Sequence, residues 1–188
     1  MGITKFSFET VEEIEGLHVI TPFIAEDDRG AFKKVYEKNI FLEHGIDLNI
    51  SEVDESISKK GVIRGLHMQH TRPQPKLVRV VYGEVFDVAV DVRKNSKTFG
   101  KYFGIYLSGE NRKMLYIPAG FLHGLLCLRD GTVFSYPCFE DYLPDYDGGV
   151  IWNDPDIAIG WPKEKVDKII LSEKDRKLPT LAEYIKTV

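Results

Sequence analysis

Short extended runs separated by turn residues dominate the middle of the chain. Gly61-Val62-Ile63-Arg64-Gly65-Leu66-His67 is a compact run bracketed by glycines. Lys76-Leu77-Val78-Arg79-Val80-Val81-Tyr82 leads through Gly83-Glu84 into a run from Val85 to Arg93. There Phe86, Val88, Val90 and Val92 alternate with Asp87, Ala89, Asp91 and Arg93, the period of a strand. The polar face of that strand predicts contact with water, either outside a sheet or inside a wet cavity. Lys101–Leu107, Lys113–Ile117 and Thr132–Tyr136 are further strand candidates, divided by Ser108-Gly109-Glu110-Asn111, Pro118-Ala119-Gly120 and Arg129-Asp130-Gly131. Strands repeating every 8–12 residues or so, with Gly, Pro, Asn and Asp between them, predict an all-β sandwich or jelly roll. Helix is scarce: Glu37–His44 stops at Gly45, and Lys163–Asp167 and Leu181–Lys186 supply a turn or two. Residues 140–162 carry Pro144, Gly148, Gly149, Pro155, Gly160 and Pro162 and predict irregular chain.

The 188 residues suit a single domain, 1–188, with an N-terminal arm over about 1–35 and an irregular C-terminal segment over about 140–188. A chain of this size buries roughly 70% of its unfolded surface, enough for a core without disulfides or a structural metal. A net charge of −4 and a pI near 5.8 lack the basic face that general nucleic-acid binding needs. No apolar run approaches the roughly 18 residues of a membrane span. The opening residues carry Glu where a secretory leader needs an apolar stretch. Cys127 and Cys138 have no C-x-x-C partner and predict reduced thiols in a cytoplasmic protein.

Of the five histidines, two stand out by context. His67 closes the Arg64-Gly65-Leu66 run, and His123 completes the pattern P-x-G-x-x-H from Pro118. That pattern resembles the second motif of the cupin superfamily, a double-stranded β-helix with a site between its sheets. The first cupin motif offers a metal H-x-H and a later Glu; here the run is His67-Met68-Gln69-His70, with Glu84 following. Side chains three apart on a regular strand point to opposite faces, so His67 and His70 would not share an ion. Methionine in place of the second histidine is a poor ligand for hard ions. A metal site of His67, Glu84 and His123 is one reading; metal-free acid–base chemistry at His67 is the favoured one.

Seven segments in order carry a closer resemblance. They are Asp28-Arg29-Gly30-Ala31-Phe32, Gly61–Gln69, Lys76–Val80, Gly83–Lys94, Ile117–Gly124, Trp152-Asn153-Asp154-Pro155 and Leu171-Ser172-Glu173-Lys174-Asp175. Together, over about residues 16–178, they resemble the nucleotide-sugar 4-keto-6-deoxyhexose 3,5-epimerases of the rhamnose pathway. The resemblance implies a cupin jelly roll with a few short peripheral helices, a nucleotide-sugar substrate, and no cofactor.

The implied chemistry asks for particular groups. A base removes hydrogen from a carbon beside a ketone, and charge moves to the ketone oxygen, which a cation must meet. A proton then returns to the opposite ring face from an acid across the cavity. By resemblance the base is His67 with Asp175 as its carboxylate partner. Lys76, with Arg64, faces the oxyanion, and Tyr136 is the acid. Imidazole is a suitable acceptor near neutral pH, and a paired carboxylate strengthens it. Arg29, Gln69, His123, Tyr142 and Lys174 are implied substrate contacts.

Departures from the family pattern fall in the same surroundings. Lys34 stands where the pattern has Glu, and Glu52 and Asp54 stand where it has Gln and Asn. A carboxylate only accepts hydrogen bonds, so Glu52 suits the amino groups of cytosine or guanine better than thymine's carbonyls. The alternative is that Glu52 and Lys34 pair at the rim and leave the base to stacking. The resemblance also implies a homodimer whose N-terminal arm, with Arg29, enters the partner's site. Single-carbon epimerisation or ketone isomerisation on a dTDP-, CDP- or GDP-linked sugar is the first rival. A non-catalytic sugar-nucleotide-binding cupin is the second.

Overall fold

Turn residues cut the chain into strands too short to be stable singly, and two antiparallel sheets gather them. The computed structural model describes residues 2–186. The N-terminal part holds β1 (Gly2–Thr4), β2 (Ser7–Thr10), β3 (His18–Thr21), β4 (Phe23–Asp27) and β5 (Gly30–Lys34), then helix α1 (Lys38–Glu43). β6 (Glu52–Ser58), β7 (Ile63–Gln69), β8 (Lys76–Tyr82), β9 (Glu84–Asp91) and β10 (Tyr102–Ser108) follow. β11 (Met114–Ile117), β12 (Phe121–Cys127), β13 (Thr132–Cys138), β14 (Asp147–Gly149) and helix α2 (Leu181–Tyr184) complete the described elements, apart from three single-turn 3₁₀ segments. One sheet runs β10-β9-β12-β7-β14 and the other β2-β3-β11-β8-β13-β6, while β1-β4-β5 form a separate ribbon. This is the all-β, cupin-type jelly roll that the turn spacing and the resemblance predict. No helix among the described residues is long and apolar enough to cross a membrane, and Cys127 and Cys138 are free and buried.

Apolar layers lie on both sides of the five-stranded sheet. Between the sheets, Val78, Val80, Leu115 and Phe134 meet Val85, Ala89, Leu125 and Cys127. On the outer side, Ile63, Leu66, Val88, Val90, Leu122 and Leu126 are covered by Val150, Ile157, Trp161, Leu181 and Tyr184. The irregular C-terminal chain is therefore the second lid of this sheet. Its end is fixed by a capping box, in which Thr180 accepts from the Glu183 backbone N–H and Glu183 accepts from that of Thr180. A third layer packs Phe41 of α1 against Phe6, Phe8 and Tyr36.

The double covering corrects the expectation for β9. Its polar face does not meet bulk water: Asp87, Ala89 and Asp91 are fully buried and point between the sheets. Phe86, Val88 and Val90 instead meet the C-terminal lid. Asp91 is held by Arg93, Ser96 and Thr98. Asp87 bonds His123, which lines the cavity described below.

One irregularity in β7 positions the site. His123 of β12 pairs with His67, but Leu125 pairs with Arg64, so two steps on β12 match three on β7. The bulge brings Arg64 and His67, three apart, to the same cavity. Gly65 makes this possible: its φ is +101°, and a Cβ there would lie 2.4 Å from the His123 carbonyl oxygen.

Candidate active site

Between the sheets lies a cavity of about 450 Å³ lined by Arg64, His67, Lys76, His123, Phe134, Tyr136, Lys174 and Asp175, among others. His67 enters from β7 and bonds Asp175 at 2.6 Å, Nε2 to Oδ1. The carboxylate comes from the C-terminal segment, in the single 3₁₀ turn Asp175–Lys177. Burial pushes the Asp175 carboxyl up. The hydrogen bond and charge of His67, with further hydrogen bonds from Ser172 and the Gly65 backbone, outweigh that and hold it below the usual carboxylate range. A carboxylate can only accept, so Nε2 carries the shared proton and Nδ1 is left as the proton acceptor.

Beside it His123 bonds Asp87 at 2.9 Å through Nε2, and its ring stacks on Phe134. Across the cavity, on the six-stranded sheet, Lys76 holds its Nζ 5.7 Å from the centre of the Tyr136 ring. Burial, then the charges of Asp54, Cys138 and Glu52, push the Tyr136 phenol up to about 12 against the opposing effect of Arg64. The phenol is therefore protonated at any physiological pH. Arg64 donates to the Ser58 hydroxyl at 3.1 Å.

A second cavity of about 290 Å³ adjoins the first and shares His67, Lys76 and Tyr136 with it. Glu52, Asp54, Gln69, Gln74, Tyr142 and Asp147 line the remainder. Asp147 accepts from Tyr142 at 2.8 Å and from Lys174 at 2.5 Å, tying two predicted contacts to one carboxylate. Gln69 is buried; its amide donates to the carbonyls of Arg72 and Asp141 and accepts from the Leu143 backbone N–H. It thus joins the two loops that wall this cavity. Glu52 accepts from Gln74 at 3.3 Å.

Two predicted contacts stand elsewhere in the chain. Arg29, at the β4–β5 turn, is 89% exposed and pairs with Asp27. Lys34 pairs with Glu37 at 2.6 Å rather than with Glu52, which removes the rim pair within one chain. The metal grouping is also divided: His67 and His123 share the larger cavity, each with a carboxylate partner, whereas Glu84 is not among its lining residues. His70 instead packs edge-on against Tyr146.

The sequence reading missed Asp87, Asp147 and Ser172. The signal for Asp87 was the polar alternation of β9 opposite the P-x-G-x-x-H histidine, and that for Ser172 its place three residues before Asp175.

A family model described as dTDP-4-dehydrorhamnose 3,5-epimerase matches residues 11–183. The protein of that name from Methanothermobacter thermautotrophicus is 49% identical over 170 residues, covering 90% of this chain and 92% of its own. That from Escherichia coli is 45% identical over 177 residues, covering 93% and 94%. The crystal structure of the Legionella pneumophila dTDP-6-deoxy-D-glucose-3,5-epimerase in complex with dTDP-4-keto-L-rhamnose superposes with a TM-score of 0.90. Its sequence identity is 39%, and the match covers 95% of this chain and 94% of that one. The motifs, the two-sheet fold and these likenesses agree: the chain belongs to the dTDP-4-dehydrorhamnose 3,5-epimerase family.

Proposed function

We propose that this protein inverts C3 and C5 of dTDP-4-dehydro-6-deoxy-D-glucose, giving dTDP-4-dehydro-L-rhamnose, by proton transfers between side chains and without a cofactor. The observation that carries the reading is the junction of the two cavities. There a carboxylate-paired imidazole on one sheet faces a lysine and a protonated phenol on the other.

In a 4-keto sugar of glucose configuration, the C3 and C5 hydrogens flank the ketone on one ring face. One base, one oxyanion site and one donor therefore serve both centres. His67 Nδ1 takes the C3 hydrogen, and Asp175 stabilises the imidazolium that forms. Charge collects on the C4 oxygen, where Lys76 and Arg64 stabilise it inside a site screened from bulk water. Tyr136, from the opposite sheet, protonates C3 on the other face and the configuration inverts; the same cycle repeats at C5. His123, its Nε2–H fixed on Asp87, presents Nδ1 to the sugar.

The nucleoside diphosphate occupies the smaller cavity, with Tyr142 at its rim and Lys174 beside it. Glu52, Asp54 and Gln69 belong to that end. The β1-β4-β5 ribbon lies outside both sheets with Ile3 and Phe32 exposed, which supports a homodimer in which Arg29 reaches the partner's site. Such a small-molecule enzyme works in the cytoplasm. Turnover in D₂O followed by proton NMR tests the reading. Deuterium at both C3 and C5 is the expected result; label at one carbon would make it a mono-epimerase, and no label would leave only binding.

A further inference from the structure

β6 is an edge strand with an inverted pattern. Val53 and Ile57 face outward, 60% and 73% exposed, while Glu52, Asp54 and Ser56 turn inward. Asp54 is the cross-strand partner of Tyr136, and Glu52 is that of Cys138. One carboxylate oxygen from each acid and the Cys138 sulfur all lie within 4.8 Å of one another. Lys34 is paired with Glu37, and among the described residues Glu52 has one side-chain hydrogen bond, from the neutral Gln74 amide.

The groups facing Tyr136 come from every wall of the site. Asp54 and Glu52 lie on β6, Cys138 on its own strand, Lys76 on β8, Arg64 and His67 on β7, and His123 on β12. Lys174 and Asp175 close the far side. Arg64 and Lys174 line the larger cavity, Glu52 and Asp54 the smaller one, and Lys76 lines both.

We propose that Asp54, supported by Glu52, is a positioning residue that controls the protonation of Tyr136 and drives its recharging between the two inversions. This rests on Tyr136 being the proton donor. Each inversion moves a proton from carbon to His67 and another from the phenol to carbon, leaving imidazolium and phenolate. Before the second inversion the imidazolium loses its proton to water and the phenolate takes one from water, so no net proton is consumed. A phenolate beside two carboxylates is a like-charge arrangement, which favours taking that proton up. An uncharged amide at either position would not exert this effect.

Labelling with 3-fluorotyrosine gives a ¹⁹F signal for position 136, assigned by its loss in Tyr136→Phe. In Asp54→Asn, an isosteric change, its titration midpoint should fall by about one unit, and in Glu52→Gln by less. The alkaline limb of kcat/KM should move down with it, and singly inverted sugar should accumulate. An unmoved midpoint and limb in both folded variants would overturn the proposal. Net epimerisation undiminished in Tyr136→Phe would instead overturn the donor role on which it rests.

Discussion

His67 and His123 are cross-strand partners in one sheet and line one cavity, yet their carboxylates are built differently. Asp175 arrives from the C-terminal segment and has hydrogen bonds from His67, Ser172 and the Gly65 backbone. Asp87 lies within the sheet, fully buried, with Oδ2 on His123 and Oδ1 without a partner among the described residues. The ring of His67 is 29% exposed and that of His123 11%. A proton carrier needs access to the substrate and a carboxylate that stabilises its charged form, and the first pair has both. The second pair is a fixed wall: an imidazole whose Nε2 is held by Asp87 and whose plane is set by Phe134.

The contrast predicts unequal losses, the largest at the first pair. His67→Asn should lower hydrogen exchange at both carbons by about 10²–10⁴-fold while substrate still binds, because the acceptor is gone and most contacts remain. Lys76→Met should suppress exchange at both carbons together, since one oxyanion serves both. Asp175→Asn should follow at roughly 10²-fold, mainly in kcat, because an amide supports the imidazolium less well than a carboxylate. Rapid-quench exchange measurements check all three. Full exchange in Asp175→Asn would reduce that pair to a packing contact.

Tyr136→Phe tests the opposite wall. Net inversion should fall about 10²-fold or more, with exchange of the starting-face hydrogen much less affected, because His67 can take and return a proton on its own side. Equal losses would mean that Tyr136 binds substrate and does not donate.

At the second pair, His123→Phe, made together with Asp87→Asn so that no unpaired carboxylate is left buried, should keep the stack on Phe134 and lose the polar contact to the sugar. A roughly tenfold fall in kcat/KM, carried mostly by KM, is expected, about the worth of one neutral hydrogen bond. A loss matching that of His67→Asn would erase the distinction between the pairs.

The two pairs were not equally legible. His67 and Asp175 stand in motifs that a reader can recognise, although 108 residues of chain separate them. Asp87 was visible as a polar position, but alternation alone does not say which face of a sheet is covered. The Pro- and Gly-rich tail looked like loose chain and proved to be the cover. β12 was obscured because it begins directly after the Pro118-Ala119-Gly120 turn signal. β6 was obscured because its apolar residues face solvent and its acids face a cavity, the reverse of the usual rule. Arg64 and His67 reach one site only through the bulge, a shift of register that periodicity does not reveal. Arg29 lies away from its own chain's cavity because its ribbon pairs with neither main sheet.

A third buried carboxylate sharpens the contrast by its effect on stability. Asp91 shares β9 and its inward face with Asp87, but both of its oxygens are bonded, to Arg93, Ser96 and Thr98. Burial would push its carboxyl up; the hydrogen bonds from these three side chains and the Arg93 backbone outweigh it and hold the group at about 2. A group whose folded value lies below its unfolded value of 3.8 stabilises the fold above that pH and loses this contribution as pH falls through the folded value. Asp91 should therefore contribute about 2 kcal/mol at neutral pH that fades between pH 4 and pH 2 or so. Urea unfolding at stepped pH measures it. Wild-type stability should decline over that window, and Asp91→Asn should start lower and decline by about 2 kcal/mol less. Parallel curves for the two proteins would mean that the Asp91 cluster orders the loop after β9 without adding to acid-dependent stability.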